Sequence, residues 1–364
     1  MSRKTLLSAL VLWPISRIYG MIMSVRNFLF DKGVLKQHVF DIPVVVVGNI
    51  AVGGTGKTPH TEYLVEQLSA DYRIAVLSRG YKRRTKGYLV ASTKTTPDEI
   101  GDEPAQIYRR FGGRVPVVVC EDRVKGIKGI RRQFPEVNMV ILDDAFQHRY
   151  VKPSAAVVLV EYGKPPYRDA MLPLGRLREP ITALNRADIV VVTKCPASAK
   201  PMDFRVYKET LNLYPYQRLY FSRYEYLKPV PLFPSAAITA PDLGKMKKDD
   251  VIISVTGVAN PLPFVRKLRR SGARVKVATF DDHHHFDASD LQLIRNKFEN
   301  AGSSRRYILT TEKDAIRLAK CADFPDELKP YIFYIPIHVE MLSAMAPVSL
   351  PDAVRQCVRS VLNK

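Results

Sequence analysis

The segment that most constrains this chain is Gly48-Asn49-Ile50-Ala51-Val52-Gly53-Gly54-Thr55-Gly56-Lys57-Thr58-Pro59, directly after the apolar run 43–47. A glycine-rich stretch ending in Gly-Lys-Thr, entered from a strand and leaving into a helix (61–69 by its pattern), is a phosphate-binding loop. Gly53, Gly54, Thr55 and Gly56 let backbone N–H groups close around phosphate oxygens, Lys57 neutralises the outer phosphates, and the Thr58 hydroxyl is suited to Mg²⁺. Ala51 stands where the usual spacing has its first glycine. Such a loop needs a strand–loop–helix setting, so it commits this part of the chain to an α/β architecture with a parallel sheet.

The loop also demands an acidic partner for the metal at the end of a neighbouring strand. Val140-Ile141-Leu142-Asp143-Asp144 supplies two carboxylates, although one of them could instead cap the following helix. Guanine-reading loops carry an Asp after a Thr-Lys pair. Thr193-Lys194-Cys195-Pro196 has the pair but not the Asp, which favours ATP.

Short Val/Ile runs at 43–47, 74–77, 116–119, 139–142, 156–160 and 189–192 alternate with helical stretches. They predict a phosphate-loop NTPase-type parallel sheet over 26–224, with ligands at the carboxyl ends of its strands. Prolines at 229, 231, 234 and 241 suggest a connection over 225–245. A second, smaller α/β domain is expected over 246–364, from strand patterns at 251–255, 275–280, 307–309 and 331–335 and helices at 261–270 and 288–300.

The chain carries 56 Lys+Arg against 36 Asp+Glu, a net charge of +20, which points to an anionic partner. Residues 1–25 are apolar but interrupted by Pro14 and Arg17, too broken for a span of about 20 residues. Basic residues flank them, so an interfacial helix on an anionic leaflet is expected, with a helix packed on the domain's own core as the alternative. The four cysteines are scattered without a C-x-x-C pair, which argues against a disulfide framework or zinc ribbon.

Several strand ends carry polar clusters. Ser78-Arg79-Gly80-Tyr81-Lys82-Arg83-Arg84 and Cys120-Glu121-Asp122-Arg123 could contact phosphates or form solvated loops. In Gly101-Asp102-Glu103-Pro104, Asp102 is either a helix cap or a carboxylate able to accept the proton of an attacking hydroxyl. Asp281-Asp282-His283-His284-His285 suggests metal, but adjacent side chains in an extended segment diverge, so joint chelation is poor geometry.

These motifs, together with Asp143-Asp144-x-Phe146-Gln147-His148, Leu177-Arg178-Glu179-Pro180 and Thr311-Glu312-Lys313-Asp314, occur in the order found in tetraacyldisaccharide 4′-kinases, which the chain resembles over about 45–320 and in its apolar N-terminus. The resemblance implies a kinase of lipid A synthesis at the cytoplasmic face of the bacterial inner membrane, peripheral or monotopic. It would move the γ-phosphoryl of ATP, with Mg²⁺, to the 4′-hydroxyl of a tetraacylated glucosamine disaccharide 1-phosphate. Carried over by residue, Lys57 and Thr58 hold phosphates and Mg²⁺, Asp143 and Asp144 serve the metal and the catalytic centre, and Asp102 is the base, supported by His283. Arg79, Arg123, Gln147, His148 and Arg178 would contact phosphate or substrate. The expected partners are the lipid A disaccharide 1-phosphate and the anionic membrane surface, with neither a nucleic-acid nor a protein partner. Two other readings are a membrane-associated ATPase switch or scaffold, and a nucleic-acid-binding NTPase; the second lacks any recognised nucleic-acid module.

Overall fold

The computed structural model describes residues 3–282, 284–303, 305–321, 323–342 and 347–362, of which 3–10 and 362 are described by backbone only. The chain begins with a long helix, α1 (Arg3–Asp31), and then alternates: β1 (Val44–Asn49), α2 (Lys57–Leu68), β2 (Ile74–Ser78), β3 (Leu89–Val90), α3 (Pro97–Ile100), α4 (Asp102–Phe111), β4 (Val117–Val119), α5 (Arg123–Gln133), β5 (Met139–Asp143), β6 (Ala155–Glu161), β7 (Ile189–Thr193), α6 (Pro201–Leu211) and β8 (Arg218–Tyr226). There follow β9 (Val230–Pro231), β10 (Val251–Thr256), α7 (Leu262–Arg269), β11 (Arg274–Thr279), α8 (Ala288–Glu299), β12 (Arg306–Thr311), α9 (Glu312–Leu318) and β13 (Ile332–Ile335), then β14 (Ile337–Leu342) and α10 (Leu350–Leu362).

Two compact units result: residues 1–224 with 339–364, and residues 225–338. The first is built on a nine-stranded sheet, ordered β14-β8-β7-β6-β1-β5-β2-β4-β3. β1 lies between β5 and β6, parallel to both, so its carboxyl end opens where the chain has left the sheet in opposite directions. All six β1 residues are buried. Val44 and Val46 point into one core, with Ile127 and Ile130 of α5, while Val45 and Val47 point into the other, with Leu64 and Leu68 of α2. The period-two geometry of a strand covered on both faces explains why this run is almost wholly Val.

The second unit has a five-stranded sheet, ordered β11-β10-β12-β13-β9, parallel except for β9. Here the structure corrects two expected boundaries. The proline-rich stretch 225–245 is part of this unit: β9 pairs along its edge, where a proline's missing N–H is tolerated. The chain also leaves the unit at residue 339 rather than ending in it. β14 joins the first sheet beside β8, and Leu350, Ala353, Val354 and Val358 of α10 enter the core that covers α2. No element was read from sequence over 350–362, so the return of α10 to the first unit was not anticipated.

The expected N-terminal helix runs six residues further than 25 and is docked along one side. Ser16 Oγ donates to the Met171 carbonyl at 2.7 Å, Tyr19 Oη to that of Arg178 at 3.0 Å, and Arg26 Nη2 to that of Gln147 at 2.9 Å. Arg149 holds the last turn, donating to the Asn27 carbonyl and to Asp31. The opposite side is apolar and exposed: Val11, Ile15, Ile18, Ile22 and Val25 recur every three or four residues, with Met21 and Phe28 beside them. Among the described residues no helix is long and apolar enough to cross a membrane.

Candidate active site

The phosphate loop leaves β1 at Asn49 and enters α2 at Lys57. Gly53 and Gly56 both have left-handed backbone, with φ of 108° and 97°, which only glycine adopts without strain. Gly48 is required for a different reason: a Cβ there would lie 2.5 Å from that of Phe146, beside the carboxylate pair. Behind the loop, Asn49 Nδ2 donates to Thr55 Oγ1 at 2.8 Å, Thr193 Oγ1 donates to the Thr55 carbonyl at 2.8 Å, and Lys194 donates to the Gly54 carbonyl. The Thr193-Lys194 pair at the end of β7 thus braces the loop from below, with Lys194 also 3.5 Å from Glu161. This structural use explains the pair without any base recognition.

The first turns of α2 bury a run of polar side chains, each with its own partner. His60 Nδ1 lies 2.8 Å from the Gly56 carbonyl and Nε2 2.9 Å from Ser222 Oγ, and burial pulls its pKa down to about 4. A neutral ring donating from Nδ1 and accepting at Nε2 satisfies both contacts. Thr61 Oγ1 donates to Asp143 Oδ1 at 2.8 Å. Glu62 accepts from Gln106 of α4 at 3.0 Å and pairs with Arg110 at 3.3 Å, tying the helix that starts at Asp102 to the helix that starts at Lys57. His60, Thr61 and Glu62 did not stand out in the sequence, because nothing local marks a buried polar residue whose partner is distant.

β5 ends on Asp143, buried at 2% exposure, and the chain then turns through Asp144 in left-handed backbone, φ 48°. Burial, reinforced by the nearby charges of Glu103 and Asp144, raises Asp143 to about 7, against the lowering effects of the Thr61 hydrogen bond and Lys57. The strained turn aims Asp144 at the loop. Its Oδ2 is 3.6 Å from Lys57 Nζ and its Oδ1 3.6 Å from Arg178 Nη1. Asp144 Oδ1 is nevertheless buried without a hydrogen-bond partner among the described residues. Gln147 completes the cluster, donating to the Asn49 carbonyl and accepting from Arg178 at 3.4 Å.

Arg123, read from sequence as a phosphate or substrate contact, is 3% exposed. It donates to the carbonyls of Glu121 (3.0 Å) and Asp144 (3.3 Å), and burial lowers its pKa to about 10. From beneath the site it holds the Asp144 turn. His148 is pulled down to about 4 by burial first and then by Arg123; its Nε2 has no hydrogen-bond partner among the described residues. Arg79 is exposed at the end of β2. Asp102 is the first residue of α4 rather than its cap, a position taken by Gly101 with φ 91°. His283 lies outside the described residues. Within the second unit, Lys313 Nζ reaches Asp282 at 3.1 Å, and Asp314 accepts from the Gly257 N–H at 2.9 Å and from Thr311 at 2.7 Å. The Thr311–Asp314 motif is therefore a capped helix start that braces the β10 end. Among the described residues no three His, Cys, Asp or Glu side chains converge to hold a metal ion.

Comparison with known proteins identifies the family. The family profile described as tetraacyldisaccharide-1-P 4′-kinase matches residues 8–354. A tetraacyldisaccharide 4′-kinase of Bacteroides thetaiotaomicron is 45% identical over 338 residues, covering 91% of this chain and 88% of its own. One from Phocaeicola vulgatus is 46% identical over 354 residues, covering 96% of each. A crystal structure of LpxK from Aquifex aeolicus in complex with ATP superposes with a TM-score of 0.72 at 28% identity, over 96% of this chain and 99% of that one. The chain belongs to the tetraacyldisaccharide-1-P 4′-kinase family, the ATP-dependent kinases of lipid A synthesis.

Proposed function

We propose that the cluster around Asp144 transfers the γ-phosphoryl group of ATP to the 4′-hydroxyl of a tetraacylated glucosamine disaccharide 1-phosphate. The observation that carries this reading is the convergence of Lys57 and Arg178 on one carboxylate at the mouth of the phosphate loop. Phosphoryl transfer needs alignment and charge neutralisation more than covalent chemistry. Lys57 and the loop N–H groups hold the transferring end of the nucleotide. Arg178, fixed through Gln147, is placed to meet the charge that spreads over the phosphoryl oxygens. Asp102, at the start of a helix locked to α2 through Glu62 and Arg110, orients the acceptor hydroxyl and takes its proton.

The donor set fits Mg²⁺. The Asp144 oxygen that lacks a hydrogen bond, with Asp143 and the Thr58 hydroxyl, would hold the ion, a cation that takes one or two carboxylates together with phosphate and water oxygens. When bound, the ion neutralises charge on the phosphates. Asp143, packed against Thr61, keeps the Asp144 turn in place whether or not the ion is there.

The exposed apolar side of α1 supports peripheral attachment to an anionic leaflet. Its docked side is already used by the loop around Met171 and Arg178, so the membrane-facing helix and the substrate loop share one contact. Arg17 lies over Trp13 and Lys32 over Phe28, cations that can stay at the headgroups while the rings enter. The test of the reaction is incubation with γ-labelled ATP, Mg²⁺ and the detergent-solubilised acceptor. Label is expected on the lipid; folded protein that hydrolyses ATP without labelling lipid would favour the switch or scaffold reading.

A further inference from the structure

The side chains of β8 alternate near its end. Arg223 turns to Glu340 of β14, at 2.6 and 2.7 Å, while Ser222 and Tyr224 meet the start of α2. His60 stands between them and the phosphate loop, and both His60 and Ser222 are wholly buried. The Gly56 carbonyl accepts the His60 backbone N–H at 3.2 Å, as the first turn of a helix requires, and lies 2.8 Å from Nδ1 of the same residue. Nε2 is 2.9 Å from Ser222 Oγ. Tyr224 packs its hydroxyl against Gly56, so that a Cβ there would run into it.

A carbonyl only accepts, so Nδ1 carries the ring proton and Nε2 accepts from the Ser222 hydroxyl. Ser222 therefore fixes the tautomer and the ring plane, and the ring fixes the Gly56 carbonyl. In a trans peptide the C=O and N–H point opposite ways, so a carbonyl held toward His60 turns the Lys57 N–H into the loop, where phosphate oxygens bind. Filling a core position with imidazole is costly compared with an aliphatic side chain, which needs no partners. What the imidazole adds is a second bond on this carbonyl. The carbonyls of Gly54, Thr55 and Gly56 are thus each held by a side chain, from Lys194, Thr193 and His60 in turn.

We infer that His60, set by Ser222, is a positioning residue for ATP. It holds the Gly56–Lys57 peptide in the orientation that presents its N–H to phosphate, acting through that peptide and not on the nucleotide itself. The contact makes β8 part of the nucleotide site, although no residue of the loop motif lies on it. β8 is also the strand by which the chain leaves the first unit after Tyr224, so the loop is braced by the very segment that leads to the second.

The test measures ATP affinity by calorimetric titration, the KM values for ATP and for the acceptor, and Tm, in wild type, His60→Gln, His60→Asn and Ser222→Ala. The Gln amide reaches the place of Nε2, beside Ser222, and leaves the Gly56 carbonyl with one bond. The Asn amide takes the place of Nδ1, beside Gly56. His60→Gln should weaken ATP binding and raise the ATP KM about five- to tenfold, the scale of one hydrogen bond, with the acceptor KM unchanged. His60→Asn should recover most of that loss. Ser222→Ala frees the ring to turn, so ATP affinity should fall about threefold, with little further loss when it is combined with His60→Gln, since both act through one contact. A role confined to packing would lower Tm in the His60 variants and leave ATP affinity at the wild-type value, which overturns the inference. An Asn variant as weak as the Gln variant overturns it too. If His60→Gln does not fold, Ser222→Ala decides, and unchanged ATP affinity in that variant counts against the inference. ATP affinity is read without lipid, so a failure of transfer to the proposed acceptor leaves this test standing.

Discussion

At the residue scale, the site depends on a few positions whose backbone or burial leaves no choice. Gly56 has φ 97° and faces the hydroxyl of Tyr224 across a gap that a methyl would close. Gly56→Ala is expected to fold yet lose nucleotide affinity by tenfold or more, measured by calorimetric titration with ATP; unchanged affinity would show that the loop does not need this conformation. His60 is buried and neutral, its pKa lowered from 6.5 to about 4. The unfolded chain therefore binds the proton first, so the stability tied to the neutral ring is whole above pH 6.5 and is lost as pH falls toward 4, at most about 3 kcal/mol from this group. His60→Asn should flatten the fall in Tm between pH 6.5 and 4; an equally steep fall would assign it to other groups. Lys57, Thr58 and the two aspartates were legible in sequence because the loop and the strand-end carboxylates are local patterns. The burial of Arg123 was not legible, since an arginine that bonds backbone carbonyls from below looks the same in sequence as one that meets phosphate or substrate.

At the element scale, the six expected strands of the first unit are present, because fully buried parallel strands write themselves as Val/Ile runs. β8, with alternating polar residues, and β14, which follows a different unit, were missed for want of that signal. The sequence of α1 offered two readings, membrane helix or packed helix; in the structure one side makes hydrogen bonds to the loop of Met171 and Arg178 and the other is an exposed apolar stripe. Fully burying one such aliphatic side chain is worth about 1.5–3 kcal/mol. Ile18→Ser with Ile22→Ser should therefore move much of the protein from the pellet to the supernatant in sedimentation with anionic vesicles, with Tm unchanged. Retained vesicle binding would contradict attachment through this stripe. Because Tyr19 and Arg26 join α1 to Arg178 and Gln147, shortening the helix past residue 18 should also raise the acceptor KM.

At the scale of the whole molecule, the +20 charge is spread unevenly: cations gather around the nucleotide loop, the segment between β2 and β3 and the flanks of α1. Each location suits a phosphate or an anionic surface. The division into units was only partly legible, since the return of residues 339–364 depends on a long-range strand pairing and an apolar helix face. The first unit contains the loop, both aspartates, Arg178 and Asp102, so nucleotide holding and proton transfer are assigned to different residues of one body. The most direct test of that account measures ATP affinity and lipid phosphorylation side by side for wild type, Lys57→Ala and Asp102→Asn. Lys57→Ala should lose both. Asp102→Asn should bind ATP within about twofold of wild type while transfer to the lipid falls about 100-fold or more, the scale of a lost general base. Asp102→Asn turning over at the wild-type rate would contradict the assignment of the proton acceptor and, with it, the proposed chemistry of the site.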